Sequence, residues 1–286
     1  MLHTTFGKKQ YPPQLMTLSD PPASLYIAAN NWLEIVEKPL LAIVGSRKVS
    51  TYGRAVTEQL ASAAAARGIV IVSGLALGVD AIAHQAALDA GGTTIAVLPS
   101  GLESIYPSSH SQLAAQIVKQ GGALVSEYPP HATAAFKGNF IARNRIIAGL
   151  AEAVLITEAA EKSGSLHTAN FALEQGKDIL AVPGPITSPL SAGCNNLIKT
   201  GATPITSADD IFAAFKMSAS AAFDHTMNAQ NSAELTILEL LAQAIHDVDE
   251  LHSQSGLSAR EFQQTISMLE ITGRITAVGG GKWTLR

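Results

Sequence analysis

Short runs of Leu, Ile, Val and Ala recur along the chain: LLAIV (40–44), IVIV (69–72), TIAVL (94–98), ALV (123–125), AVLIT (153–157) and ILAV (179–182). Runs this short and this apolar predict strands covered on both faces. Between them lie GRAVTEQLASAAAARG (53–68), LGVDAIAHQAALDAGG (77–92) and TANFALEQG (168–176), which read as helices. Strand–helix alternation at this spacing predicts βαβ units, and hence a doubly wound parallel-sheet, Rossmann-like α/β domain. The segment 216–232 is small, polar and aperiodic and reads as a linker. After it come an amphipathic helix (ELTILELLAQAI), a helix, a turn at Gly256, a further helix and a glycine-rich hairpin. That order predicts a small C-terminal winged-helix domain. The expected organisation is an N-terminal extension at 1–38 packing on the core, the Rossmann-like domain at 39–215, the linker, and the winged helix at 233–286.

Composition sharpens the picture of the core. Hydrophobic residues make up 47% of the 286 residues and aromatics only 5%, so small aliphatic side chains must fill it. The formal net charge is −4, so a polyanion has to be met by a local patch. The single cysteine, Cys194, rules out an internal disulfide and a Cys-rich zinc site. The histidines are scattered, with no H-E-x-x-H, and no metal or other cofactor is expected. The N-terminus MLHTTFGKKQYPPQL has no apolar signal region, and the most apolar window (68–79) is too short to span a bilayer. A cytoplasmic protein without membrane contact is expected.

In a doubly wound sheet, ligands bind outside the carboxyl ends of the strands. The residues following each predicted strand are therefore candidates: Gly45, Ser46 and Arg47 after the first, Ser73 and Gly74 after the second, and EAAEKSGS (158–165) after the fifth. The first of these turns has the layout of a phosphate loop without the G-x-G-x-x-G fingerprint of a dinucleotide site. Small and hydroxyl residues with Arg47 and Lys162 among them suit phosphates. Tight βα turns also account for the glycines and serines. KGNFIARNRIIAGL (137–150) adds Lys137, Arg143 and Arg145, with Phe140 and Asn144 set among them. Basic side chains beside an aromatic face suit a phosphate backbone with unstacked bases; a solvated helix start with Phe140 in the core is the other reading. Asp80 and His84, four apart on one helix, form either an acid–base pair or a helix cap and a satisfied histidine. Glu127 and Glu158 end strands and are candidate bases, but no nucleophile or metal cluster stands beside them.

These blocks together resemble the DNA-processing protein A (DprA/Smf) family. The likeness runs through YPPQL (11–15), DPPASLY (20–26), AIVGSRKVSTYG, VSGLALGVDAIAHQAAL, PSGLESIYPSSH, FIARNRIIAGL, EAAEKSGSLHTA and VPGPITSPLSAGCNNLIKTGA, and on into the winged helix. The resemblance implies a homodimer that binds single-stranded DNA, is no enzyme, and helps load the RecA recombinase in natural transformation and recombination. Single-strand-binding protein is a further implied partner. It also implies a DNA pocket made by Arg47 of the GSR turn with Lys137, Phe140, Arg143 and Arg145, and a basic surface continued by Lys162, Ser163, Gly164 and Ser165. Many members carry a helical domain ahead of the Y-P-x-x-L stretch; with about ten residues before that stretch here, the module is expected to be absent. The alternative is a nucleotide-processing enzyme of the lysine-decarboxylase-like (phosphoribohydrolase) group on the same fold. Its P-G-G-x-G-T run has no counterpart in PGPITS (183–188) or KSGSLHTANFALEQG (162–176). Residues 232–286 hold seven Asp or Glu against four Lys or Arg, so a protein contact suits that module better than a DNA contact.

Overall fold

The computed structural model describes residues 4–6, 11–133, 136–217, 232–242 and 245–285. They divide into two compact units, Met1–Ser218 and Ala219–Arg286. Of the expected linker, residues 218–231 lie outside the described residues, while Ser232 already opens a helix.

The first unit carries strands β1 (Thr4–Phe6), β2 (Leu25–Ala28), β3 (Leu40–Val44), β4 (Val70–Ser73), β5 (Thr94–Val97), β6 (Ala123–Ser126), β7 (Ala153–Ile156), β8 (Asp178–Ala181) and β9 (Thr203–Pro204). Its helices are α1 (Pro13–Met16), α2 (Trp32–Val36), α3 (Thr51–Ala66), α4 (Val79–Asp89), α5 (Ser111–Lys119), α6 (Lys137–Leu150), α7 (Ser165–Glu174), α8 (Ala192–Lys199) and α9 (Ala208–Ala214). The sheet order is β1-β2-β6-β5-β4-β3-β7-β8-β9. All six predicted strands are present, and neighbours among them pair in parallel. Strands β1 and β2 extend the β6 edge by antiparallel pairing, an addition that the apolar runs did not signal. From β3 the chain steps outward through β4, β5 and β6, then returns to place β7 on the other side of β3. The carboxyl ends of β3 and β7 thus flank the point where strand order reverses, the place where such sheets open a crevice.

Period-two alternation sorts each strand between two cores. Leu40, Ala42 and Val44 of β3 face a cluster with Ile146 and Ile147 of α6 and with Tyr11, Leu15 and Trp32 of the N-terminal segment. Leu41 and Ile43 face the other side, where Ala61, Ala64 and Ala65 of α3 meet Ala83, Ala86 and Ala87 of α4. Alanines at this contact let the two helices lie close to each other and to the sheet, which accounts for an apolar composition poor in aromatics. Cys194 is buried in the first of these cores, and burial pushes its thiol up to about 12. Among the described residues no helix is long and apolar enough to cross a membrane.

The second unit is a winged helix: α10 (Ser232–Ala242), α11 (Val248–Ser255), α12 (Ala259–Ile271) and the antiparallel hairpin β10 (Ile275–Gly279) and β11 (Lys282–Leu285). Gly256 stops α11 in the left-handed conformation at φ 65°, and a capping box between Ser258 and Glu261 starts α12. Phe262, Ile266 and Leu269, on one stripe of α12, close a core with Ile237, Leu238, Leu241, Leu251 and Ile275.

Candidate nucleic-acid interface

A cleft of about 730 Å³ opens at the reversal point, lined by the turn after β3, the first turns of α6 and α7, and Tyr106. Its floor and walls bring together Gly45, Ser46, Arg47, Phe140, Arg143, Asn144, Ser163, Gly164 and Ser165. Residues that lie more than a hundred positions apart in the chain therefore meet at one edge of the sheet.

The turn after β3 is fixed from both sides. The Ser46 N–H donates to the Glu158 carbonyl at 2.7 Å, and the Ser46 carbonyl accepts from the Val79 N–H at 3.1 Å. A Cβ on Gly45 would lie 2.7 Å from the Glu158 carbonyl oxygen, so this glycine answers to packing against β7. The Ser46 hydroxyl is spent on the Lys48 backbone. What the turn presents outward is Arg47, exposed, with its guanidinium 5.1 Å from the centroid of the Phe140 ring. Tyr106 meets the same ring edge-on, at 5.3 Å and 75°.

Two carboxylates of the chain itself lie at the starts of α3 and α4. Glu158, 2% exposed, accepts from the Ser50 N–H at 2.8 Å and from the hydroxyl of Ser50, the residue that caps α3 by accepting from the Gly53 N–H at 3.0 Å. Gly53 has no Cβ where that carboxyl group lies. In a dinucleotide fold the pyrophosphate sits at the start of this first crossover helix. Glu158 holds that position here, so a second anion would meet repulsion. Asp80, in the first turn of α4, likewise accepts from the N–H groups of Gly74 at 3.1 Å and Ala76 at 3.4 Å. The start of α7 carries no acidic residue in its first turn; there the Ser165 N–H donates to Ser163 Oγ at 3.4 Å, and the Leu166 and His167 N–H groups donate to the carbonyls of Ser163 at 3.1 Å and Gly164 at 3.3 Å. Ser163 and Ser165 stand there with their hydroxyls 2.8 Å apart. Lys162 is exposed next to them, as is Glu161.

Both arginines of the 137–150 segment are committed internally, which corrects the expectation of two phosphate grips. Arg143 is 3% exposed at the cleft floor. Its Nη1 donates to the carbonyls of Gly74 and Val97, tying β4 to β5, and its Nε donates to Asn144 Oδ1 at 3.2 Å. Burial pulls its pKa down to about 10, with the Asp80 carboxylate opposing, so it remains a cation at neutral pH. Arg145 points elsewhere: it grips Glu127 through both terminal nitrogens, at 3.1 and 2.7 Å, and reaches Asp20 at 3.3 Å. Helical geometry gives the reason. Residues two apart lie about 200° apart around a helix, so Arg143 and Arg145 cannot face one cleft, whereas Phe140, Arg143 and Asn144 share a side.

Ser73 also leaves the candidate surface, because its hydroxyl donates to the Ile43 carbonyl at 2.6 Å inside the sheet. Gly74 lines a small pocket beneath Phe140 and yields its side-chain space to the Arg143 guanidinium. Lys137 opens α6, and its side chain lies outside the described residues. Reading the sequence passed over Tyr106; a Y-P pair in the loop after β5 is its only local mark.

Asp80 and His84 do not form an acid–base pair. The Thr94 hydroxyl donates to the Ile71 carbonyl at 2.7 Å, so His84 Nδ1 donates to Thr94, also at 2.7 Å. His84 Nε2 is buried without a partner, and burial lowers the imidazole pKa from 6.5 to about 3. The unfolded chain therefore binds this proton first, so stability falls as pH drops from 6.5 toward 3. The slope from this group approaches about 1.4 kcal/mol per pH unit. Urea melts between pH 7 and 4 should show a steeper loss for the native chain than for His84→Gln, which keeps a donor for Thr94. Equal slopes would refute the assignment. Among the described residues no cluster of His, Cys, Asp or Glu could hold a metal ion.

The fold and its cleft define a Rossmann-like α/β protein that carries a winged-helix module and has its dinucleotide cradle filled by a carboxylate. Within that class the chain belongs to the DNA recombination-mediator protein A family, whose model matches residues 3–216, with a DprA winged helix domain matching 224–281. It is 41% identical to Protein Smf of Escherichia coli (strain K12) over 284 residues, covering 96% of this chain and 75% of that protein. It is 44% identical to the DNA processing protein DprA of Bacillus subtilis (strain 168) over 206 residues, covering 72% and 68%. The solved structure of DNA processing protein A from Streptococcus pneumoniae matches with a TM-score of 0.69 at 41% identity, covering 73% of each chain. That of DNA processing protein A from Helicobacter pylori, described for its single-stranded DNA binding mode, matches with 0.67 at 33% identity, covering 75% of this chain and 95% of that one.

Proposed function

We propose that this chain binds single-stranded DNA in the strand-end cleft and acts as a recombination mediator that helps load a RecA-type recombinase. The observation that carries the reading is Arg47, exposed and resting on Phe140, in one cleft with the Ser163–Ser165 turn. One cation covers one phosphate, and the Ser163–Ser165 turn with its hydroxyls and the exposed Lys162 offers the next. Aromatic rings between them suit bases that are not paired. The likeness to the Helicobacter pylori protein supports the same ligand. Lys137 belongs to this proposed surface by its place at the start of α6. We assign no catalysis: Glu158, Asp80 and Glu127 are each engaged by donors of the chain itself, which argues against the phosphoribohydrolase alternative. The acidic winged helix is assigned to protein contact, and the chain to a cytoplasmic homodimer that works beside single-strand-binding protein.

Fluorescence anisotropy on labelled oligonucleotides tests the binding. Single strands should bind at least about tenfold more tightly than blunt duplex, with an affinity that falls steeply with salt as counterions are released. Equal affinity for duplex overturns the proposal. Strand exchange on DNA precoated with single-strand-binding protein tests the loading step, and an exchange rate indifferent to the protein removes it.

A further inference from the structure

Tyr106 stands in the cleft with 49% of its surface exposed, on a loop that carries none of the expected binding residues. Phe140 is only partly exposed, and its ring is flanked by the Arg47 guanidinium and by Tyr106. A cation over an aromatic face uses the surface that a stacked base would need. Phe140 thus serves as the rest for Arg47, and the larger free aromatic surface at the mouth belongs to Tyr106. The edge-on contact with Phe140 holds the tyrosine in place. The same residue also lines the small pocket over Gly74 and Arg143, so it bridges the cleft floor to solvent.

We propose that Tyr106 is a base-stacking residue: it takes the face of an unpaired nucleobase whose neighbouring phosphate is held by Arg47. This rests on the single-stranded DNA reading above and adds a division of labour to it. Arg47 reads the backbone and Tyr106 reads a base. Any base offers a π-face, so the contact adds affinity with little sequence preference.

The experiment compares an oligo-deoxythymidine strand with a strand of equal length whose sugars carry no bases, so that phosphates are kept and stacking is removed. Tyr106→Ala should weaken binding to the thymidine strand by about tenfold, within the range expected for one lost stack. It should leave binding to the abasic strand within about twofold, and Tyr106→Phe and Tyr106→Trp should restore the thymidine affinity. Arg47→Ala should weaken binding to both strands alike. A thermal melt of each variant, unchanged from the native chain, confirms that the half-exposed ring is no structural support. Equal losses of Tyr106→Ala on both strands, or no loss on either, overturn the stacking assignment. Failure of the native chain to bind any single strand overturns the underlying function instead.

Discussion

Arg143→Ala is expected to destabilise the first unit by about 2–6 kcal/mol, from two buried carbonyls left without their donor at about 1–3 kcal/mol each. The guanidinium is almost fully enclosed and supplies donors to two strand-end carbonyls, Gly74 and Val97, on adjacent strands. Its loss leaves both carbonyls short of a donor and removes the larger of the two arginine charges, Arg143 and Arg47, that favour the buried Asp80 carboxylate. Burial already raises the Asp80 pKa, with Arg143 as the foremost counterweight, so the variant pushes Asp80 further toward its neutral form. A void also opens against Gly74, whose missing Cβ made room for the guanidinium. Arg143→Lys should recover only part of the loss, because a single ammonium cannot reproduce the planar fork. Urea denaturation reads the effect directly. A midpoint within experimental error of the native chain would restore Arg143 to the role of a solvent-facing phosphate grip.

The contrast between this residue and the strands shows what the sequence makes legible. Strands β3 to β8 announce themselves because both faces are covered, so each is an unbroken apolar run. Strands β1 and β9 end the sheet with three and two residues, too little pattern to notice, and β2, as long as β4, pairs antiparallel and so falls outside the strand–helix alternation. The GSR and KSGS turns are legible for a topological reason: a parallel doubly wound sheet delivers every strand's carboxyl end to one edge. Burial of the arginines is harder to see, since F-x-x-R-N-R reads as a basic patch until the helix turn is laid over it. Half of that correction is available from the sequence, because the two arginines lie on opposite sides of α6. The hold of Glu158 on Ser50, the cap of α3, is not available at all; it joins residues 108 positions apart through a crossing that only the folded sheet creates. Tyr106 escapes for the related reason that an aromatic in a loop gives no periodic signal of where it points.

Arg47→Ala is expected to cost single-stranded DNA binding about 1.5–3 kcal/mol, the worth of a hydrogen bond to a charged group, or roughly 10–150-fold in affinity. The neighbouring Lys48→Ala should cost less than about threefold. Both side chains are exposed and both line the cleft, so net charge alone predicts equal losses. What separates them is preorganisation. The Arg47 guanidinium rests on Phe140, and the turn beneath it is pinned by Glu158 and Val79, so little freedom is lost when a phosphate arrives. Lys48 has no such rest and must give up its rotamer freedom on binding. Arg47→Lys should fall between native and alanine, because it keeps the charge and loses both the stack and the bidentate fork. One phosphate contact fewer should also reduce the slope of log K against log salt by about 0.7. Thermal stability should not move, since the side chain is outside the core. If Arg47→Ala and Lys48→Ala behave alike across the salt series, the phosphate is held by diffuse charge, and the turn after β3 is not its seat.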